Sequence, residues 1–158
     1  MNSNLSTTVN DELATLLIPM NDKQLVLPNV SVAEIIPFKE PETQQEDRPN
    51  WFLGHIEWRG LAVPVVSFEA INEEAFVSQS HNRRIAIVNA IVDDARLPFC
   101  GIVSESVPRL MRIQPNEIMS ENDSVGPAEL AQVIMNGEQA VIPNLDFIQQ
   151  QVIALLDA

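Results

Sequence analysis

Tyrosine is absent from this 158-residue sequence, cysteine occurs once, and glycine occurs only five times. Each shortage removes a class of function. Aromatic residues make up 5% of the chain, too few to build the stacking platforms that bind bases or sugars. The lone Cys100 has no partner for an internal disulfide, and with only His55 and His81 to help it cannot complete a zinc site. It lies within Leu97-Pro98-Phe99-Cys100-Gly101-Ile102-Val103, where a buried, inert thiol is expected rather than a nucleophile. Five glycines leave no Gly-rich loop to cradle a phosphate. Positive charge is scarce as well, with 9 Lys and Arg against 22 Asp and Glu and a net charge of −13. Such a polyanion is repelled by nucleic acid and by anionic lipid surfaces, and its densest basic pair is Arg83-Arg84. No apolar run approaches the roughly 20 residues of a spanning helix. Met1 to Glu12 lacks the basic region and apolar core of a secretory signal. The expectation is a cytoplasmic protein with no nucleic-acid partner and no direct membrane insertion.

What the sequence does contain is a core. Hydrophobic residues make up 46% and charged residues 20%, a globular balance. The apolar residues come in short, β-branched runs bounded by Pro, Gly, Asn or Asp, from Leu16 to Met20 through Ala140 to Ile142. That is a strand pattern. Asn21-Asp22, Arg59-Gly60 and Asn136-Gly137 each separate two runs as turns, and Asn-Gly favours the positive φ angles of a two-residue hairpin. Pro64 inside a run points to an edge strand or a bulge, because proline donates nothing to a ladder. Val30 to Ile36 reads either as a helical turn or as a bent strand.

At the end of the chain, Leu145, Ile148, Val152, Leu155 and Leu156 share one helical face, with Gln149 to Gln151 largely opposite and Asn144 as the cap. The expected organisation is therefore a loose tail over residues 1–12 and one domain over 13–150. That domain comprises two β-barrel subdomains, approximately 13–78 and 79–145 with possible strand exchange, and a C-terminal helix follows over 146–158.

Catalytic chemistry finds no constellation. Glu73-Glu74 and Asp93-Asp94 fall in turns where solvation explains them, and no nucleophile motif lies near either histidine.

A different series stands out. The run Trp51-Phe52-Leu53-Gly54-His55-Ile56-Glu57-Trp58-Arg59-Gly60-Leu61-Ala62-Val63-Pro64-Val65-Val66 resembles the central hairpin of the CheW family of chemotaxis coupling proteins. That family's pattern is roughly G-x-I-N-x-R-G-x-x-x-P-V-V-D-L. Gly54, Ile56, Arg59, Gly60, Pro64, Val65 and Val66 match it, whereas Glu57 replaces the usual Asn and Ser67 the usual Asp. Val32-Ala33-Glu34-Ile35 is similar to the family's V-x-E-I/V element, and Gly101-Ile102-Val103-Ser104-Glu105-Ser106-Val107 to G-L-x-V-D-x-V. The resemblance runs in order from about Leu16 to Ile148.

The resemblance implies a mainly β fold of two packed SH3-like, five-stranded β-barrel subdomains with a C-terminal helix. It implies a non-enzymatic adaptor without cofactor or metal. Its partners would be the cytoplasmic tip of a chemoreceptor and the regulatory domain of a chemotaxis-type histidine kinase. The length leaves no room for the kinase's own catalytic domains, so the free-standing adaptor form is expected. The departures at Glu57 and Ser67 suggest an accessory member, such as one in a type IV pilus system. The alternatives are a binding module for another motility or pilus regulator and a small β-barrel ligand-binding protein or enzyme.

The protein-binding candidates are Val32, Glu34, Gly54, Arg59 and Gly60, with Glu34 and Arg59 expected to form an ion pair near the receptor-binding surface. Each also has a plainer reading. Gly54 and Gly60 would permit a tight hairpin and close packing, Val32 would be core, and Arg59 would be a solvated turn charge. Trp51 and Trp58 are expected on opposite strand faces, one in the core and the other free to anchor an interface. An exposed apolar patch facing the kinase is expected within Ile85 to Val103.

Overall fold

Strand residues alternate between two burial partners, and this alternation organises the molecule. A computed structural model describes residues 12–43, 47–75, 78, 80–121 and 125–157. Its strands are β1 (Leu13–Pro19), β2 (Gln24–Pro28), β3 (Val32–Pro37), β4 (Phe52–Trp58), β5 (Leu61–Val66), β6 (Arg84–Asn89), β7 (Phe99–Ser104), β8 (Arg109–Ile113), β9 (Ile118–Ser120), β10 (Glu129–Met135) and β11 (Glu138–Pro143). One helical turn, α1 (Phe68–Ile71), follows β5, and a 12-residue helix, α2 (Leu145–Leu156), closes the chain. Val30 to Ile36 combines both of its readings, a 3-10 turn over Asn29–Ser31 leading into β3. The loose tail expected over residues 1–12 lies, but for Glu12, outside the described residues.

The strands form a six-stranded sheet, β8-β1-β2-β11-β10-β9, and a five-stranded sheet, β3-β6-β7-β5-β4. The mainly β class with two packed sheets and a terminal helix stands as expected, with one sheet a strand larger. The expected division near residue 78 falls between β5 and β6, which share a sheet. The subdomains are therefore not sequential halves. The β1–β2 hairpin crosses to the late strands, because there it finds a partner on each side, β8 antiparallel to β1 and β11 parallel to β2.

Three apolar clusters fill the structure. Leu17, Val26, Ile113, Val133, Met135 and Ala140 line the inner face of the six-stranded sheet. Ile56, Trp58, Val63, Val65, Ile85, Ile87 and Val103 line that of the five-stranded sheet. Between the sheets lies the largest cluster, which includes Ile18, Leu25, Leu27, Phe68, Ala86, Val88, Ile102 and Ile148. Successive residues of β6 thus enter different cores, Ile85 and Ile87 one and Ala86 and Val88 the other, as strand periodicity dictates. A strand buried on both faces reads as a continuous apolar run.

This also narrows the expected kinase-facing patch. Across Ile85 to Val103 most apolar side chains are buried. The exceptions lie in the loop between β6 and β7, where Ile91 is 58% exposed and Ala95 and Pro98 are exposed too, with Ala90, Val92 and Phe99 partly covered. β6 and β7 are central strands covered on both faces, so what apolar surface this region exposes lies in the loop between them. On the strands of the other sheet, Leu13, Leu110, Met119 and Leu130 are exposed as well.

Proline and glutamine supply two more corrections. Pro64 is on neither an edge nor a bulge of its own strand, since β5 is flanked by β4 and β7. It is tolerated because the parallel ladder to β7 involves only Val65 and Val66, so no partner needs an N–H at position 64. Gln149, expected on the polar side of α2, is buried. Its Oε1 accepts from the backbone N–H groups of Ile91 and Val92, at 2.9 and 3.4 Å, and its Nε2 donates to the Asn89 carbonyl at 3.2 Å. The loop after β6 packs onto the helix there, and its backbone groups need a partner that water cannot supply. Asn144 caps α2 as expected, accepting from the Phe147 N–H at 3.0 Å.

A polar knot also ties the sheets together. Glu129 on β10, 5% exposed, accepts from Lys23 Nζ (3.1 Å) and from Asn72 Nδ2 (2.7 Å) on Oε2, and from Gln132 (3.0 Å) on Oε1. Lys23 lies in the β1–β2 turn and also pairs with Glu74 at 2.8 Å. Asn72, just after α1, accepts from the Ala128 N–H at 2.9 Å. Burial pushes the Glu129 carboxyl up, but the hydrogen bonds from Gln132, Asn72 and Lys23 outweigh it and hold the group below its usual range.

Candidate protein-binding site

The β4–β5 hairpin turns on Arg59 and Gly60, with φ of 50° and 78°. Two positive φ angles in succession are the signature of the tight turn that follows strand twist, and Gly supplies the second without steric cost. The turn projects Arg59 beside β3. On β3 a register shift between Val32 and Glu34 breaks the pairing with β6. Val32 is partly buried against the inter-sheet core, and the side chain of Glu34 stays 40% exposed.

Glu34 Oε1 holds two donors. Trp58 Nε1 donates to it at 2.9 Å, and Arg59 Nη2 pairs with it at 3.2 Å. The Arg59 guanidinium also lies 4.7 Å from the centre of the Trp58 ring, within range of a cation–π contact. Trp58 is itself fixed from below, edge to face with Phe99 at 4.8 Å and buried in the core of the five-stranded sheet. A surface cation is thus seated on an aromatic whose only polar atom is spent on the same carboxylate. The result is a rigid, half-exposed platform at the sheet's edge, bordered by the exposed Leu61.

The candidate residues divide accordingly. Glu34 and Arg59 form the expected ion pair, Gly60 completes their turn, and Val32 lies two residues from Glu34 on the same strand. Gly54 stands apart, four residues before Trp58 on β4. It is buried with φ 126°, and a Cβ there would overlap the carbonyl of Glu42. Glu42 exchanges both backbone hydrogen bonds with His55 at 2.8 Å, so glycine is what lets this segment close on β4. Trp51 is half-buried against the inter-sheet core while Trp58 is buried in the other. The residue underrated from sequence is Trp58. Its signal was its place next to the Arg-Gly turn, where an indole has a carboxylate within reach.

The two departures from the motif have local accounts. Ser67 caps α1, its hydroxyl accepting from the Ala70 N–H at 3.2 Å, a task Asp performs equally well. Glu57 points to solvent, and its backbone carbonyl accepts from Lys39 Nζ at 2.6 Å.

Elsewhere the chemistry is quiet. Burial pushes the Cys100 thiol up to about 12, which keeps it protonated and unreactive. Desolvation lowers the His55 imidazole below its ordinary value, and its ring packs edge to face with Phe52 at 5.4 Å. Among the described residues, no group of three or more His, Cys, Asp or Glu could hold a metal, and no helix is long and apolar enough to cross a membrane.

Comparison with known proteins agrees with this geometry. No curated protein sequence matches the chain. Among solved structures it is similar to the crystal structure of the scaffolding protein TtCheW from Thermoanaerobacter tengcongensis. The TM-score is 0.70, the identity 17%, and the match covers 84% of each chain. At that identity the likeness shows the fold. A family model described as "CheW-like domain" matches residues 14–152, nearly the whole described structure. With hairpin, V-x-E element and two-sheet architecture all in place, the chain belongs to the CheW-like domain family.

Proposed function

We propose that this chain is a chemotaxis-type adaptor that joins the cytoplasmic tip of a chemoreceptor to the regulatory domain of a histidine kinase. Its receptor-facing surface is built on Glu34, Trp58, Arg59 and Gly60, with Val32 beside them. The observation that carries the reading is the seating of Arg59. Its side chain is 68% exposed, yet it is oriented by both a carboxylate and an indole whose ring is buried. A cation held in place while still exposed is pre-organised for a partner, because little side-chain entropy remains to be lost on binding. Gly54 serves the surface indirectly, by shaping the strand that carries Trp58.

The mechanism needs no cofactor and no bond chemistry, as fits a family of scaffolds rather than enzymes. An adaptor that contacts receptor and kinase together shifts kinase populations only through contacts that differ between receptor states. The narrower assignment, to a type IV pilus system, rests on Glu57, since capping by Ser67 accounts for the other departure.

The test is co-elution of the purified chain with a receptor-tip fragment and with a kinase regulatory domain. The proposal expects a complex containing all three. Binding of the kinase domain without the receptor tip would overturn the assignment of Arg59 and Glu34. Binding of neither, with capture of a different motility or pilus regulator, would replace the chemoreceptor reading altogether.

A further inference from the structure

Carboxylates outnumber cations more than twofold, so an unpaired arginine is unexpected here. Lys23, Arg59, Arg96 and Arg109 all sit in ion pairs. Arg83 and Arg84, among the described residues, do not. They meet in a pocket of about 330 Å³ lined by Pro37, Phe38, Ser80, His81, Arg83 and Arg84. Among the described residues, no carboxylate is in that lining.

Both guanidinium groups are held in place. Arg83 stacks over Phe38, 3.8 Å from the ring centre, and makes no side-chain hydrogen bond among the described residues. Its plane is fixed by the ring while its N–H edge stays free. Arg84 donates through Nη1 to the backbone carbonyls of Asn82 and Arg83, both at 3.0 Å, which leaves Nε and Nη2 without partners among the described residues. Arg83 also borders an adjoining cavity that contains Glu69, Glu74 and Glu105, yet it pairs with none of them. The stacking on Phe38 holds it on the basic side.

We infer that this pocket docks an acidic segment of a partner protein, seating a Glu or Asp side chain on Arg83 and Arg84. Planar guanidinium forks match a carboxylate bidentately. The Pro37 and Phe38 lining suits the methylene stem of a glutamate better than it suits a hydrated phosphate. The two arginines supply positive potential locally on a chain of net negative charge. Charges farther than about 8 Å away are largely screened at physiological salt, so the −13 total does not forbid the contact. This inference goes beyond the adaptor reading and stands whether or not Glu34 and Arg59 face a receptor.

A hexaglutamate peptide titrated into the full chain, followed by amide, arginine and aromatic NMR signals, tests it. The expected shifts centre on Phe38, His81, Arg83 and Arg84. The double variant Arg83→Gln/Arg84→Gln should lose about tenfold or more in affinity, the scale of one charge-assisted hydrogen bond. Arg83→Lys, which keeps the charge but not the fork, should weaken binding by less. Arg112→Gln removes one positive charge from an exposed position on β8 of the other sheet and should leave affinity unchanged. Absence of shifts in the millimolar range would overturn the inference. So would an equal loss in Arg112→Gln, which would show a diffuse charge effect, or inorganic phosphate binding at the pocket where the peptide does not.

Discussion

Glu34 and Glu129 perform the same task in opposite surroundings. Each accepts from one cation and from at least one uncharged N–H donor, Arg59 and Trp58 for Glu34, and Lys23, Asn72 and Gln132 for Glu129. The Glu34 side chain is 40% exposed and its cation 68%, while the Glu129 side chain is 2% exposed and its cation 24%. Water can replace the ion-pair partner at the first site but not at the second. An exposed ion pair contributes about 0–1 kcal/mol, whereas removing one member of a buried pair costs several because the other is left without solvation. The buried knot is therefore expected to hold the sheets together, and the surface pair to be free for partner binding.

The largest expected effect lies at the knot. Glu129→Ala removes the buried acceptor shared by Lys23, Asn72 and Gln132 and leaves Lys23 and the Asn72 amide to Glu74, so a loss of about 3 kcal/mol is expected. In a chain of this size that lowers the melting temperature by about 10 °C. A shift below about 2 °C would erase the contrast between the two sites.

Acid should act through the same carboxylate. Because the folded-state pKa of Glu129 is depressed, its contribution is complete above the unfolded value, about 4.3, and is lost as pH falls through the folded value. The stability difference between wild type and Glu129→Gln should thus be constant from neutral pH to about pH 5 and shrink below about pH 4. Glu69 works against it. Burial raises its pKa, despite hydrogen bonds from its own and the Asn21 N–H, so protonation favours the fold as pH falls through the raised value. Glu69→Gln should therefore steepen the acid loss, as read from melting curves across pH.

At the surface site the two partners of Glu34 separate by substitution. Glu34→Ala leaves the buried Trp58 N–H without its acceptor and should cost about 1–2 kcal/mol. Glu34→Gln keeps an oxygen for that bond and should melt within about 2 °C of wild type. If both melt alike, the indole bond is not what makes Glu34 structural. Arg59→Ala is the smallest expected change, below about 1 kcal/mol, since only an exposed pair and a surface cation–π contact are lost.

Part of this contrast was legible in the sequence. The hairpin turn, the V-x-E element and the Glu34–Arg59 pair could be read because short motifs fix local geometry and the resemblance fixes their order. The knot could not, since Lys23, the Asn72–Glu74 turn and Glu129 lie in three distant segments and look like ordinary solvated residues until the sheets bring them together. Gln149 was misplaced for the same reason, because periodicity assigns a glutamine to the solvent face and cannot see a loop packing over it. The β1–β2 hairpin's crossing to the late strands could be anticipated only as a possible strand exchange, as pairing between distant strands leaves no local trace. Pro64 misled because the rule against proline in central strands assumes a full ladder, and here the parallel ladder begins one residue later.

The central claim is that Arg59 is positioned for a partner rather than for the fold. Affinity for a chemoreceptor-tip fragment, measured beside the melting temperature for wild type and Arg59→Ala, tests it most directly. The account predicts a loss of at least about tenfold in affinity with melting within about 4 °C of wild type. Unchanged affinity in a variant that folds normally would contradict it.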